Sequence, residues 1–449
     1  MSLRWSPQRH AHGKSRLLGA AMLTAVSIVS AAACSSSSPK AAEETSSNAS
    51  CKKKADCVSL GIGEPIFIGI QLSEDLAIGK DSLVGVELAI DYLDGHFDGE
   101  PGTIDGHKVI LLSTPDTCSG STDGANAARR LLAEKRIIGV IGTTCSGSAL
   151  HGAAHKYSDS HVLLLSPSNT APALTGEGTR PPYYFRFANN DLISRAVTAS
   201  FISDRTGWRS VATIADVGDP YSNELADSLG NQLRVNGVVT TKLASTSGGD
   251  AAELVEQLAL LAPKAIFIPT INPGCANITA ALRNDARTRT IPIIVGDGCQ
   301  EESTLIGIGA NTNDLFATGL DLSVLAANDF YRTYFQPAFV RKTGVAPTTG
   351  YEANAFDAAN LLVASISSAI GAGERGSSVI NRVAARDALL KVTNYSGLSG
   401  KITCIPSGDC IPSARIGMYQ APFWPAINPT TAQLVYSKEV TLLSVRAGG

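Results

Sequence analysis

The sequence predicts an α/β protein made of two doubly wound parallel-sheet lobes joined by crossover strands. Three observations predict it. Apolar runs of strand length are continuous rather than alternating, as strands covered by helices on both faces must be. Each run is followed by a stretch with helical apolar spacing. The whole pattern then pauses at Pro181-Pro182 and restarts, in a chain of 449 residues that is too long for one ordinary core.

In the first winding, Pro65 to Ile70 reads as a strand, Asp81 to Leu93 as a helix and Val109 to Leu112 as a strand. A helix over Gly124 to Glu134, a strand over Ile137 to Ile141, a helix over Ser148 to Tyr157 and a strand over Val162 to Leu165 follow. Tyr183 to Ala188, led by the two prolines, is an extended segment between the windings. The second winding takes strand Ser210 to Ile214, helix Ser222 to Asn236 and strand Val238 to Lys242. Asp250 with Glu253 three residues later forms a capping-box pattern that opens a helix through Leu261. Strand Ala265 to Ile268, helix Ala276 to Asn284 and strand Ile291 to Val295 complete it. Asn354 to Ala369 is an apolar helix, and Cys404 to Cys410 reads as a stapled turn between two strands.

The N-terminus carries an export pattern. Arg4, Arg9, Lys14 and Arg16 are a basic n-region, Leu17 to Val29 is an apolar stretch too short to span a bilayer comfortably, and Ala31-Ala32-Ala33 precede Cys34. This resembles a bacterial lipoprotein signal with Cys34 as the lipid-bearing residue, although Ala31 stands where such signals usually carry Leu. Ser35 to Ser50, a run of Ser, Ala, Glu and Pro, has nothing to bury in a core and reads as a tether. The other eight cysteines fall into four couples near in sequence: Cys51 and Cys57, Cys118 and Cys145, Cys275 and Cys299, Cys404 and Cys410. An oxidising compartment makes four disulfides the expectation, while the connectivity stays open among about a hundred pairings.

Composition narrows the function. The chain is 44% hydrophobic and 17% charged, and 37 basic side chains, four of them in the n-region, face 40 acidic ones. With no Lys/Arg stripe beyond Lys52-Lys53-Lys54, nucleic acid is not an expected partner. An enzyme is the competing class. His151 and His155 would share a helix face at metal-like spacing, but no His-Glu-x-x-His accompanies them. There is no Gly-x-Ser-x-Gly elbow or Walker loop, and Gly307-Ile308-Gly309 is an incomplete dinucleotide match. The expectation is a protein that is not an enzyme and uses no cofactor or metal.

Polar groups cluster where open α/β sheets bind ligands, at the C-terminal ends of parallel strands. After IIGVI comes Gly142-Thr143-Thr144-Cys145-Ser146-Gly147-Ser148, running into a helix whose N–H groups and hydroxyls suit a carboxylate. After VLLL comes Ser166-Pro167-Ser168-Asn169-Thr170, a turn that presents carbonyls and hydroxyls. In the second winding IPIIV ends in Gly296-Asp297-Gly298, and Tyr221 heads a helix. Donors in one lobe facing an acid in the other match a zwitterion, an α-amino acid held at both ends.

The segments VIGTTCSGSAL (Val140 to Leu150), LLSPSNTAPALT (Leu164 to Thr175), YYFR (Tyr183 to Arg186), VGDG (Val295 to Gly298) and YEANAFDAANLL (Tyr351 to Leu362) resemble the leucine/isoleucine/valine-binding proteins. These are type I solute-binding proteins of ATP-binding-cassette importers. The resemblance implies the type I periplasmic binding protein fold and a disulfide between Cys118 and Cys145. It implies that Ser146 and Thr170 each donate a hydroxyl and an N–H to the ligand carboxylate. It also implies that the Ser168 carbonyl accepts from the ammonium, that Asp297 replaces a family Glu as its acidic partner, and that Tyr221 closes over the ligand. Ile78 stands where the family carries an aromatic, and a second aromatic expected around Ile271 and Asn272 is missing. The Cys51–Cys57, Cys275–Cys299 and Cys404–Cys410 couples are additions to the family pattern.

The expected organisation is a signal over residues 1–33, a lipidated tether over 34–60, a first lobe over 61–187 and 323–392, and a second over 188–322 and 393–449. The expected protein is a monomer held by lipid on Cys34 at the extracytoplasmic face of the cell membrane. It captures a branched-chain or related amino acid and hands it to a permease and its ATPase subunits. The alternatives are an amide, urea-like or aromatic-acid ligand, or a solute sensor without a transport role.

Overall fold

The computed structural model describes residues 51, 53, 56–115, 117–118, 122–245, 251–300, 304–306, 311–421 and 434–447. The signal, Cys34, Asp250 and Gly307 to Gly309 lie outside these residues. No helix among the described residues is long and apolar enough to cross a membrane.

Two sheets organise the chain. The first has six strands in the order Thr103–Ile104, His107–Ser113, Ile66–Gln71, Ile137–Gly142, Leu163–Ser166 and Tyr184–Arg186. All its pairings are parallel except the hairpin Thr103–Ile104 with His107–Ser113. The second has seven strands in the order Leu434–Thr441, Ser413–Gln420, Leu315–Leu320, Ile293–Val295, Ala265–Ile268, Ser210–Asp216 and Val239–Ser245. Its last five strands are mutually parallel and its first two join antiparallel. The central strands are buried on both faces, with every residue of Ile137–Gly142, Leu163–Ser166 and Ala265–Ile268 out of solvent. The edge strand Val239–Ser245 alternates toward water and carries Lys242, which discourages further pairing.

Helix Tyr351–Ala369 is buried nearly all round because it is covered on several sides. Leu362 packs over the sheet at Gly139, where a Cβ would come within 2.6 Å of it. On another side lies helix Ala77–Asp91, and Gly85 is what lets the backbones approach: a Cβ there would sit 2.3 Å from the Glu352 carbonyl oxygen. The chain passes between the two sheets three times. It leaves the first after Tyr184–Arg186, leaves the second after Leu315–Leu320 for helix Tyr351–Ala369, and re-enters the second at Ser413–Gln420.

The expected elements of both windings are present, with ends displaced by a few residues, and three readings need correction. Cys57–Leu60, assigned to the tether, is a strand that pairs antiparallel with Ser378–Asn381 and buries Val58 and Leu60. Tyr184–Arg186, expected as an extended segment at the end of the first lobe, is the edge strand of the first sheet. Arg186 N donates to the Gly408 carbonyl, and the buried Arg186 guanidinium pairs with Asp409, Nε–Oδ1 3.0 Å. The boundary expected at 392/393 comes too early. The hairpin Tyr395–Ser396 with Lys401–Ile402 is tied to helix Tyr351–Ala369, since Leu398 N and Ser399 N both donate to Asp357 at 2.8 Å. Finally, His151 and His155 do not share a regular helix face, because the helix from Ser146 breaks at His151 (ψ 17°) and Gly152 (φ 125°).

The structure joins Cys51 to Cys57, Cys118 to Cys145, Cys275 to Cys299 and Cys404 to Cys410.

Candidate ligand-binding site

Ser146, Ser168, Thr170, Tyr221 and Asp297 line one cavity, together with Leu76, Ile78, Thr144, Ile271 and Gly298. Strand ends bring them there. The turn after Ile137–Gly142 carries Thr144 and Ser146, the turn after Leu163–Ser166 carries Ser168 and Thr170, and the turn after Ile293–Val295 carries Asp297. The two turns of the first sheet are stitched by buried hydrogen bonds. Ser168 Oγ donates to the Thr144 carbonyl at 2.9 Å, and Asn169 Nδ2 donates to the Thr143 and Thr144 carbonyls at 2.9 and 3.1 Å. Thr144 Oγ1 accepts from Ser73 N at 2.8 Å, which anchors the same turn to the loop before helix Ala77–Asp91.

One expected role changes. The Thr170 N–H does not face a ligand; it donates to Ser146 Oγ at 3.1 Å, and Ala171 N donates to the same oxygen at 3.2 Å. An oxygen that accepts twice has its own O–H left to give, so Ser146 is oriented as a donor. The Ser146 and Thr170 hydroxyls lie on this wall, beside the first turn of the helix that Ser146 opens, in which Ser148 N donates to the Cys145 carbonyl at 3.1 Å.

Asp297 faces them from the second sheet. Its Oδ1 accepts from Tyr221 Oη at 2.6 Å and from Gly298 N at 3.1 Å, and its Oδ2 accepts from Tyr351 Oη at 2.5 Å. Burial and the Asp297 charge push both tyrosine pKa values well above the usual phenol range, so both stay protonated donors. Tyr221 sits in the first turn of helix Pro220–Val235, positioned by the cap Asp219. Burial raises the Asp219 pKa to about 6.

Two further residues were not singled out as site residues by the sequence. Tyr351 opens helix Tyr351–Ala369 and carries the hydroxyl across to Asp297. Asp191 opens helix Asp191–Ser200, with its N–H on the Thr170 carbonyl at 2.9 Å. Its carboxylate is 1% exposed, with the Thr170 hydroxyl as its polar neighbour. Burial, and then the Asp297 charge, raise its pKa well above the carboxylate range against the opposing pull of the Thr170 hydroxyl and Arg186. In sequence an acid at a helix start is ordinary macrodipole chemistry, and nothing local marks this one as facing another acid.

The two sheets' elements meet over this cavity. Glu224 Oε2 accepts from Ala173 N at 3.2 Å, and Asp219 Oδ1 lies 3.3 Å from where a Gly147 Cβ would be. About 30 Å³ remains between the walls, room for one or two water molecules. An amino acid needs more, so the walls must part to admit one. Two disulfides brace the site. Cys145 precedes Ser146, and Cys299 ends the short turn that begins at Asp297. Its partner Cys275 heads the helix after Ile271, so this bond ties together two turns that both line the cavity.

Comparison with known proteins places this geometry. The Leu/Ile/Val/Thr-binding protein of Salmonella typhimurium is 25% identical over 214 residues, 45% of this chain and 56% of that one. The chain thus spans about half the length of the curated relatives it matches. Among solved structures, a leucine binding protein from Thermotoga maritima superposes with a TM-score of 0.68 at 23% identity, covering 79% of this chain and 95% of that one. A branched-chain amino acid transporter substrate binding protein from Streptococcus pneumoniae, solved with isoleucine, gives 0.66 at 19% identity, covering 84% and 100%. Both share this fold. A periplasmic binding protein family model matches residues 73–420, most of the sequence, and the chain belongs to that family.

Proposed function

We propose that this protein captures an α-amino acid with an apolar side chain between its two sheets and delivers it to an ATP-binding-cassette permease. It would work outside the cytoplasm, held to the membrane by lipid on Cys34. The observation that carries the reading is the opposition of two chemistries across one cleft. Hydroxyls at Ser146 and Thr170 and the N–H groups at the start of the helix that Ser146 opens suit a carboxylate, and Asp297 suits an ammonium. Leu76, Ile78 and Ile271 offer an aliphatic wall for the side chain. The three chain passages between the sheets would act as the hinge, so that closing buries the ligand and opening releases it.

Calorimetry with leucine, leucinamide and the des-amino analogue 4-methylpentanoate tests the reading. Leucine should bind far more tightly than either analogue, and equal affinity for the three would refute a zwitterion site. Thr170→Ala should weaken leucine by about 1–2 kcal/mol, because a hydroxyl is lost while the helix N–H groups and Ser146 remain. The same titration probes the brace under Asp297. Removing the Cys275–Cys299 bond by a double Cys→Ser substitution should cost leucine affinity about ten-fold, because the carboxylate is no longer held in place. The unfolding midpoint should also fall, since a loop of this length contributes about 3.5 kcal/mol. An unchanged affinity in a protein with the expected loss of stability would show that Asp297 needs no such brace.

A further inference from the structure

A second cavity lies away from the ligand cleft, where the chain passes between the two sheets. It holds about 250 Å³. Its apolar lining includes Leu320, Leu322, Leu325, Ile411 and Ala414, all but Leu320 buried. Gly350, Asn354 and Lys401 close one side from the helix and hairpin associated with the first sheet, and Arg415 and Glu439 close the other from the second.

We propose that this hinge cavity is a second ligand site, for a small monocarboxylate with an apolar body. Asp321 lines the cavity, but its carboxylate is already engaged by Ser323 N at 3.0 Å and by the hydroxyls of Ser323 and Ser437. At the rim Arg415 Nη2 pairs with Glu439 Oε2 at 3.3 Å. Lys401 is an exposed ammonium whose hydrogen bond goes to the Ser396 hydroxyl and which has no carboxylate within ion-pair distance among the described residues. An apolar pocket with an ammonium outside any ion pair at its mouth suits an amphipathic anion, its tail in the cavity and its head at Lys401. The location has a consequence for the cleft. Gly350 directly precedes Tyr351, and Asn354 Nδ2 donates to the Pro167 carbonyl at 3.1 Å, next to Ser168. An occupant of the cavity therefore touches the residues that hold two walls of the amino-acid site.

Sodium hexanoate is the probe, titrated against the full chain by ligand-observed NMR, with hexylamine as the cation of the same shape. Hexanoate should bind at one site and hexylamine should not. Lys401→Gln should weaken hexanoate about ten-fold, and Val324→Trp, which plugs the cavity from a partly exposed position, should abolish it. Ser146→Ala, in the other cleft, should leave it unchanged. Failure to bind at tens of millimolar, or binding that survives Val324→Trp, overturns the proposal; in the second case the acid is in the amino-acid cleft. Neither Lys401 nor Val324 lines that cleft, so failure here leaves the amino-acid reading intact.

Discussion

Asp297→Ala is expected to weaken leucine binding by about thirty-fold to several-thousand-fold, the largest loss of any single change in the cleft. An ammonium taken out of water needs a charged acceptor, and removing the acceptor from a buried charged pair costs about 2–5 kcal/mol. In the proposed site Asp297 is that acceptor, and Tyr221 and Tyr351 hold it by one hydroxyl on each oxygen. Asp191 sets where in the range the result falls. Part of what keeps its carboxyl protonated is the Asp297 charge, so losing Asp297 makes Asp191 easier to ionise and leaves a second acid to take over. The loss should therefore be steeper in a variant that also carries Asp191→Asn. Asp297→Asn serves as the control for shape, because it keeps an acceptor for one tyrosine while removing the charge. Calorimetry on these variants with leucine and 4-methylpentanoate decides the matter. The des-amino acid should lose little in all of them, and a loss equal to that of leucine would mean that Asp297 shapes the cleft rather than pairing an ammonium.

The second large effect is on stability and its pH dependence. Glu352 is fully buried on helix Tyr351–Ala369, with Oε1 accepting from Tyr331 Oη at 2.8 Å and Oε2 without a partner. Burial, and then the nearby Asp81 charge, raise its pKa from 4.5 to about 8. A carboxyl with a raised folded pKa binds a proton in the native state that the unfolded chain has released. Its contribution is complete below the unfolded pKa, falls as pH rises from about 4.5 to about 8, and is flat beyond. The full swing is about 3–5 kcal/mol. Glu352→Gln cannot titrate and keeps an oxygen for Tyr331, so it should lose this slope. Urea unfolding of both proteins from pH 5 to pH 9 measures it. Their difference should grow with pH in favour of the variant and stop growing above pH 8. Asp219 and Asp357, each raised by burial to about 6, slope the same way in both proteins and cancel in the difference. Parallel curves would show that Glu352 is ionised in the fold across the whole range.

The winding itself was legible because strand burial leaves a one-dimensional trace. IIGVI, VLLL and IPIIV are apolar without alternation, and a segment covered on both faces can be written in no other way. Strand-end placement was legible for the same reason: Ser146, Ser168, Thr170 and Asp297 each follow such a run directly, and parallel strands put their C-terminal ends on one side. The antiparallel strands Ser413–Gln420 and Leu434–Thr441 left a weaker trace, because they lie at the edge of the second sheet and alternate or mix polar residues. Cys57–Leu60 was hidden by its lysine-rich approach and its length of four residues.

By itself, then, the sequence determined which residues stand at strand ends, which runs are buried on both faces, and that an acid and a group of hydroxyls are available in different windings. Tertiary structure alone decided what those groups do to one another. The Thr170 N–H is turned to Ser146 rather than toward a ligand, and Tyr351 reaches Asp297 from 54 residues away along the chain. Asp191, at the start of helix Asp191–Ser200, meets the charge of Asp297. A hydrogen bond is set by distances of about 3 Å and by the direction of one lone pair, and a pKa by every charge and every water removed around the group. Neither quantity is carried by the order of residues along a strand; both appear only once two sheets are brought face to face.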